Sequence, residues 1–178
     1  MVPKINHILY ATDLSDGARR ALGYAVALAD AFEASLTVIH VIRETSPNAE
    51  LLISAFLGYP SREEVKQKSR KQITEEIKER LGQMCDELGC QLPACRFSLA
   101  GVMVEFGRPQ EMILNHAETG NYEVLVMGRH DYGLVEGAIT GHAAMGLLRH
   151  SPIPVFLVPV AGGSEADAAS DPDEDDAR

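Results

Sequence analysis

Residues 5–42 read INHILYATDLSDGARRALGYAVALADAFEASLTVIHVI, and this stretch decides the fold. Residues 5–11 (INHILYA) are a short apolar run rich in strand formers, closed by Thr12-Asp13. That pattern predicts a strand buried on both faces of a parallel sheet. Ser15 and Asp16 then offer oxygens suited to capping a helix N-terminus. Behind them Ala18, Ala21, Leu22, Ala25, Val26, Leu28 and Ala29 recur at helical spacing. The small side chains let such a helix lie close on a sheet. Residues 35–42 (SLTVIHVI) make a second buried strand. A strand, a helix and a parallel strand form a right-handed crossover unit.

Outward from this unit the pattern repeats. Pro47, Gly58 and Pro60 punctuate residues 43–61, yet 51–57 are apolar, which predicts a loop carrying a short helix over the sheet edge. Residues 62–88 predict one long helix with Val65, Ile73, Ile77, Leu81, Met84 and Leu88 on its inner face, stopped by Gly89. The third strand is expected at 95–104, with Gly101 marking a bulge or bend. Pro109 opens the next helix, whose inner face is Met112, Ile113 and Ala117. After the Gly120-Asn121 turn, residues 122–127 (YEVLVM) form the fourth strand, ending in Gly128. A glycine-containing loop over 129–141 leads to a helix at 142–150. The rigid connector 151–154 leads to the fifth strand, 155–160 (VFLVPV), where Pro159 points to an edge position. This alternation predicts an α/β, Rossmann-like, doubly wound sheet of five parallel strands with helices on both faces. It occupies residues 1–160 as one domain.

The net charge of −10 is unevenly spread. Residues 161–178 hold seven acidic residues and one arginine, so the tail carries −6 and the body −4. Such a tail is too polar to pack and is expected to be disordered. The body shows no basic patch, which argues against nucleic acid as a partner. Hydrophobic residues make up 46% of the chain, enough for a core without staples. Cys85, Cys90 and Cys95 are odd in number and lack a C-x-x-C pair, so neither a disulfide framework nor a zinc site is expected. They read as reduced, buried thiols rather than a redox device. No apolar run is long enough to span a bilayer, and the N-terminus runs into a strand without a leader. A cytoplasmic protein with no membrane partner is expected.

Ligands of open parallel sheets bind beyond the carboxyl ends of the strands, where the strand order reverses. Two strand ends stand out: Ala11-Thr12-Asp13 and Met127-Gly128-Arg129-His130-Asp131. A glycine in a strand-to-helix loop lets backbone N–H groups approach a phosphate, and the next helix adds partial positive charge. In this order, ILYATDLSDGARRAL, LTVIHV, GRPQEMIL, EVLVMGRH and HSPIPVFLV span about residues 4–160. Together they resemble the universal stress protein family. The resemblance implies an adenine nucleotide α-hydrolase-like sheet, a bacterial stress-response role, and a homodimer paired through the last strand, Val155–Val160. It also implies ATP or AMP as the ligand of many members. The implied nucleotide positions are Asp13 and Val41 on the adenine side, with Met127, Gly128, Arg129, Asp131, Gly141 and His142 toward the phosphates. The family's phosphate loop runs Gly, two residues, Gly, nine residues, Gly, then Ser or Thr. Here the spacing holds, but Asp131 replaces the second Gly and His142 replaces the hydroxyl residue. A carboxylate beside phosphate repels it, and the lost hydroxyl removes a charge-assisted bond. ATP binding is therefore expected to be weak or absent, as in the branch typified by the founding member.

Other constellations carry less. His130, His142 and His150 are 12 and 8 residues apart, which matches no compact metal-ligand motif. His7 and His40 read as satisfied groups in strands. Ser15 has no positioned histidine, and no G-x-S-x-G elbow exists. No catalytic residue is assigned. The sequence reads as a non-enzymatic stress-response homodimer acting through protein partners. The alternative is an ATP- or AMP-binding switch with slow or no hydrolysis. A metal or small-molecule sensor using His130 and His142 stands third.

Overall fold

The computed structural model describes residues 2–15, 17–43, 47–130 and 140–160. Its elements in chain order are β1 (His7–Thr12), α1 (Ala18–Phe32), β2 (Ser35–Ile42), α2 (Pro47–Leu57), α3 (Arg62–Gln67) and α4 (Arg70–Gly89). There follow β3 (Ser98–Phe106), α5 (Pro109–Thr119), β4 (Val124–His130), α6 (Thr140–His150) and β5 (Val155–Val160). The five strands form one sheet in the order β3-β2-β1-β4-β5, and every pairing is parallel. Pro159 lies on the edge strand β5, where its missing N–H spoils no central ladder.

Two apolar layers sandwich the sheet. On one face Ile8, Tyr10, Leu36, Val38, Val126 and Val158 pack under α1 and α4, which contribute Ala21, Leu22, Ala25, Ile77 and Leu81. On the other, Leu9, Ala11, Ile39, Val41, Leu125 and Met127 meet Ile113 of α5 and Leu147 of α6. Alternate residues of each strand thus serve opposite layers, so the central strands are apolar on both faces, with Thr37 and His40 of β2 the buried polar exceptions. Each fully buried aliphatic side chain contributes about 1.5–3 kcal/mol relative to exposure.

Several boundaries differ from the sequence expectation. The stretch read as one long helix is two, α3 and α4. Ser69 sits in extended backbone (φ −69°, ψ 155°), and its Oγ accepts the Gln72 N–H while Gln72 Oε1 accepts the Ser69 N–H. This reciprocal cap starts a new helix and ends the old one. The short helix expected within 43–61 is the full α2. It and α3 enter the core through Ile53 and Val65. They are tied to α4 where Glu76 accepts the Tyr59 hydroxyl and Lys68 Nζ (2.5 Å). Strand β3 begins at Ser98, later than expected. Cys95 takes a left-handed φ of +42°, and the Arg96 N–H turns aside to Asp30 Oδ1 at 2.5 Å. The expected bulge is present: Leu36 pairs with Leu99 and Thr37 with Gly101, leaving Ala100 as the extra residue. Cys90 and Cys95 are exposed, not buried as expected; Cys85 is buried.

Gly120 closes α5 under tight constraint. A Cβ there would lie 2.7 Å from the His116 carbonyl oxygen and 2.4 Å from Tyr122 Cε2. Gly120→Ala is therefore expected to destabilise the fold by about 1–3 kcal/mol. Calorimetry should show a melting temperature lower by roughly 2–4 °C per kcal/mol. An unchanged melting temperature would mean that the α5–β4 turn relaxes freely.

Among the described residues no helix is long and apolar enough to cross a membrane. The acidic tail lies outside the described residues.

Candidate functional site

The sheet splits between its two central strands. The β1–β4 ladder runs from Ile8–Val124 to Ala11–Met127 and stops there. Beyond that point β1 still pairs with β2 at Thr12–His40, and β4 still pairs with β5 through Gly128–Val158, Arg129–Pro159 and His130–Val160. The strands therefore part at their carboxyl ends and open a crevice, at the place where the connections turn to opposite sides. Ala11, Val41 and Met127 form its apolar floor within one buried cluster. Thr12 and Asp13 stand on one lip, and Gly128 on the other.

The β1–α1 turn is braced from several directions. Asp13 Oδ1 accepts the Ser15 N–H (3.0 Å) and the Ser15 hydroxyl (2.6 Å). Ser15 thus bonds to Asp13, and the N-cap of α1 is Gly17, without a side-chain bond. Asp16 lies outside the described residues. Leu14 takes a left-handed φ of +64°, and its N–H donates to Thr12 Oγ1 at 3.2 Å. The unfavourable backbone is held because the Leu14 side chain is buried in the α1–α4 layer. The Tyr10 hydroxyl donates to the Ala18 carbonyl at 2.7 Å, and burial pushes this phenol far above its ordinary range.

His40 completes the brace from the neighbouring strand. It is 7% exposed, and its Nδ1 lies 2.9 Å from the Thr12 carbonyl oxygen. A carbonyl only accepts, so Nδ1 carries the proton. Burial holds the imidazole below its usual range; the Thr12 carbonyl and the Asp13 charge oppose this without overcoming it. The native state thus prefers neutral His40, whereas the unfolded chain takes a proton below about pH 6.5. Stability from this group is complete above that pH and falls as pH drops below it, by at most about 1.4 kcal/mol per unit. In His40→Gln, which keeps an N–H donor for Thr12, urea unfolding between pH 7 and 5 should show a flatter acid limb. Identical limbs would mean that His40 is readily charged in the fold.

The positions marked in the sequence are partly assembled. Asp13, Val41, Met127 and Gly128 come together at the split. Gly128 and Arg129, expected at the strand end and in the loop, lie within β4, so their backbone belongs to the β5 ladder. Gly141 and His142 fall in the first turn of α6. Asp131 lies outside the described residues. Sequence reasoning marked the Ala11-Thr12-Asp13 strand end but missed Leu14 and the bracing role of His40. The available signal was one polar residue at the carboxyl end of an otherwise apolar strand, beside a Thr-Asp strand end. Among the described residues no group of three or more His, Cys, Asp or Glu is arranged to hold a metal.

A profile of the universal stress protein family matches residues 4–159. The chain belongs to this family. A universal stress protein of Thermus aquaticus is 33% identical over 156 residues, covering 85% of this chain and 96% of its own. The Methanocaldococcus jannaschii universal stress protein MJ0577 is 26% identical over 155 residues, covering 85% and 93%. The solved structure of MJ0577 superposes with a TM-score of 0.63 at 24% identity, over 90% of this chain and all of that one. A universal stress protein in complex with cAMP gives 0.57 at 17% identity, covering 89% and 100%. An Arabidopsis thaliana family protein with AMP bound gives 0.53 at 15%, covering 88% and 92%. These likenesses establish the Rossmann-like fold. The crevice of this universal stress protein lies at the split of its central strands.

Proposed function

We propose that this universal stress protein is a non-enzymatic, cytoplasmic stress-response protein that acts as a homodimer through protein contacts and holds ATP weakly or not at all. One observation carries the reading: among the described residues, exposed apolar side chains stand on the edge strand β5 and on the helices α1 and α6. Phe156 of β5 (39% exposed) lies against Tyr24 of α1 (44%), with ring centroids 6.2 Å apart. On the opposite layer α6 exposes Met145 (51%) and Leu148 (39%), while its Leu147 shares a buried cluster with Val155 and Leu157. An edge strand leaves backbone donors and acceptors unpaired. A two-fold mate satisfies them and covers the exposed apolar side chains at the same time. Pro159 limits the number of ladder bonds, so side chains supply much of the contact. The protein partners would then meet the dimer, not the monomer.

The weak ATP site rests on Asp131 and His142 in the sequence. It is supported by a β4 that runs on to His130, committing the backbone after Gly128 to β5. A second reading is an ATP- or AMP-binding switch with slow or no hydrolysis. The assembly of Asp13, Val41, Met127 and Gly128 at the split favours it, as do the relatives holding AMP and cAMP. Mass spectrometry of small molecules released on denaturation, followed by calorimetric titration with ATP and AMP, separates the two. Silence supports the lead reading; co-purified nucleotide or micromolar affinity replaces it with the switch.

A further inference from the structure

Cys90 and Cys95 differ in kind from the third cysteine. Cys85 is fully buried, and burial pushes its thiol up to about 11, which leaves it inert. Cys90 and Cys95 are exposed and bracket the turn that carries the chain from α4 into β3. Cys90 is the C-cap of α4, its N–H donating to the carbonyls of Asp86 and Leu88. Just beyond it, the Gln91 N–H donates to Leu88 O at 3.1 Å and the Leu92 N–H to Gly89 O at 3.0 Å, so the turn winds tightly. The left-handed backbone at Cys95, unfavourable for a residue with a Cβ, sends the chain back across the end of the helix. Its Sγ lies 3.3 Å from where a Cβ on Gly89 would stand, beside the Phe97 ring at 3.1 Å. The returning chain thus crosses α4 at the residue next to Cys90, whose Cα is only about 3.8 Å further on. The bare Gly89 leaves that approach open.

We propose that Cys90 and Cys95 form an oxidation site, two thiols that close into an intramolecular disulfide when a hydroperoxide reaches the turn. One thiolate attacks the peroxide, the O–O bond breaks, and a sulfenic acid forms as the alcohol or water leaves. The second sulfur then attacks the sulfenic sulfur, forming the S–S bond and releasing water. Two thiols and one hydroperoxide thus give one disulfide, one alcohol or water, and one further water; the sulfurs supply both electrons. The bridge fastens the end of α4 to the approach of the edge strand β3, independently of the crevice and of any nucleotide. Cys85 is the competing partner, one turn before Gly89 on the same helix face, and its burial disfavours it.

The test uses the full-length chain treated with a small excess of hydrogen peroxide, then alkylated under denaturing conditions. The expected product is an intramolecular disulfide, with about 2 Da lost from the intact mass before alkylation. Alkylation then labels Cys85 alone instead of three thiols, and peptide mapping links Cys90 to Cys95. Dithiothreitol should restore all three thiols, and the rate should climb with pH because the thiolate is the attacking form. In Cys90→Ser, its fold checked by circular dichroism, Cys95 should stop at a sulfenic acid trapped by dimedone. A Cys85–Cys95 link, a bridge between two chains, accumulation of sulfinic acid, or three thiols still labelled would each overturn the proposal.

Discussion

Replacing Phe156 by glutamate is expected to convert the proposed homodimer to a monomer at micromolar concentration. The side chain sits half-exposed on the free edge strand and contacts only Tyr24 as a ring partner among the described residues, so the monomer loses little by the change. In the proposed dimer the same residue, beside the exposed Tyr24, would be covered by the partner strand. Buried aromatic anchors at interfaces contribute about 2 kcal/mol or more each when truncated. Two-fold symmetry counts every substitution twice. Each glutamate would also bring a charge into an apolar contact, at a desolvation cost. A loss of about 4 kcal/mol corresponds to a dissociation constant raised roughly a thousandfold. Sedimentation velocity on both proteins reads this directly, with the melting curve of the variant reporting on the fold. If the unsubstituted protein already sediments as a monomer throughout the micromolar range, the β5 interface does not exist. If Phe156→Glu remains a dimer, the interface lies elsewhere, and the other free edge, β3, becomes the next place to look.

The parts of the fold legible in the sequence were those where local pattern and tertiary burial agree. The runs around Leu9, Ile39 and Leu125 are apolar on both faces because helices cover both, so composition alone marked them as central strands. Gly101 marked the bulge correctly because a residue without a side chain weakens an edge strand at that point. Legibility failed where a residue had two suitors. Ser15 looked like a helix cap, but the Asp13 carboxylate takes its hydroxyl and its N–H, and the helix starts beyond Gly17. Ser69 lay inside a charged helical run, and only its reciprocal bond with Gln72 reveals it as the start of a new helix. Gly128 read as a strand end because glycine is a poor strand former, yet ladder bonds to β5 carry the strand two residues past it. Likewise the split of β1 from β4 depends on strand order, which no local window contains. The family resemblance pointed to Asp13, Val41, Met127 and Gly128, and the sheet places them at the carboxyl ends of β1, β2 and β4.

If the native chain binds ATP weakly, as proposed, restoring the phosphate loop should raise its ATP affinity. Asp131→Gly with His142→Ser would return both altered motif positions to the family pattern. A carboxylate roughly 6 Å from a phosphate costs about 3 kcal/mol per unit charge at an effective dielectric of 20. A hydroxyl bonded to a charged phosphate adds about 1.5–3 kcal/mol when present. Either change alone is then expected to tighten ATP binding roughly ten- to a hundredfold, and the pair about a thousandfold or more. Adenosine provides the internal control. It carries no phosphate, so its affinity should be nearly the same in the native and substituted chains. Calorimetric titration of both ligands therefore separates repair of the phosphate side from a general change in the crevice. A thousandfold gain for ATP with adenosine unmoved would show that Asp131 and His142 exclude the phosphates while the floor of Ala11, Val41 and Met127 stays as it is. No gain for ATP would place the obstacle in the strand itself, where pairing with β5 holds Gly128 and Arg129 in a ladder instead of a cradle.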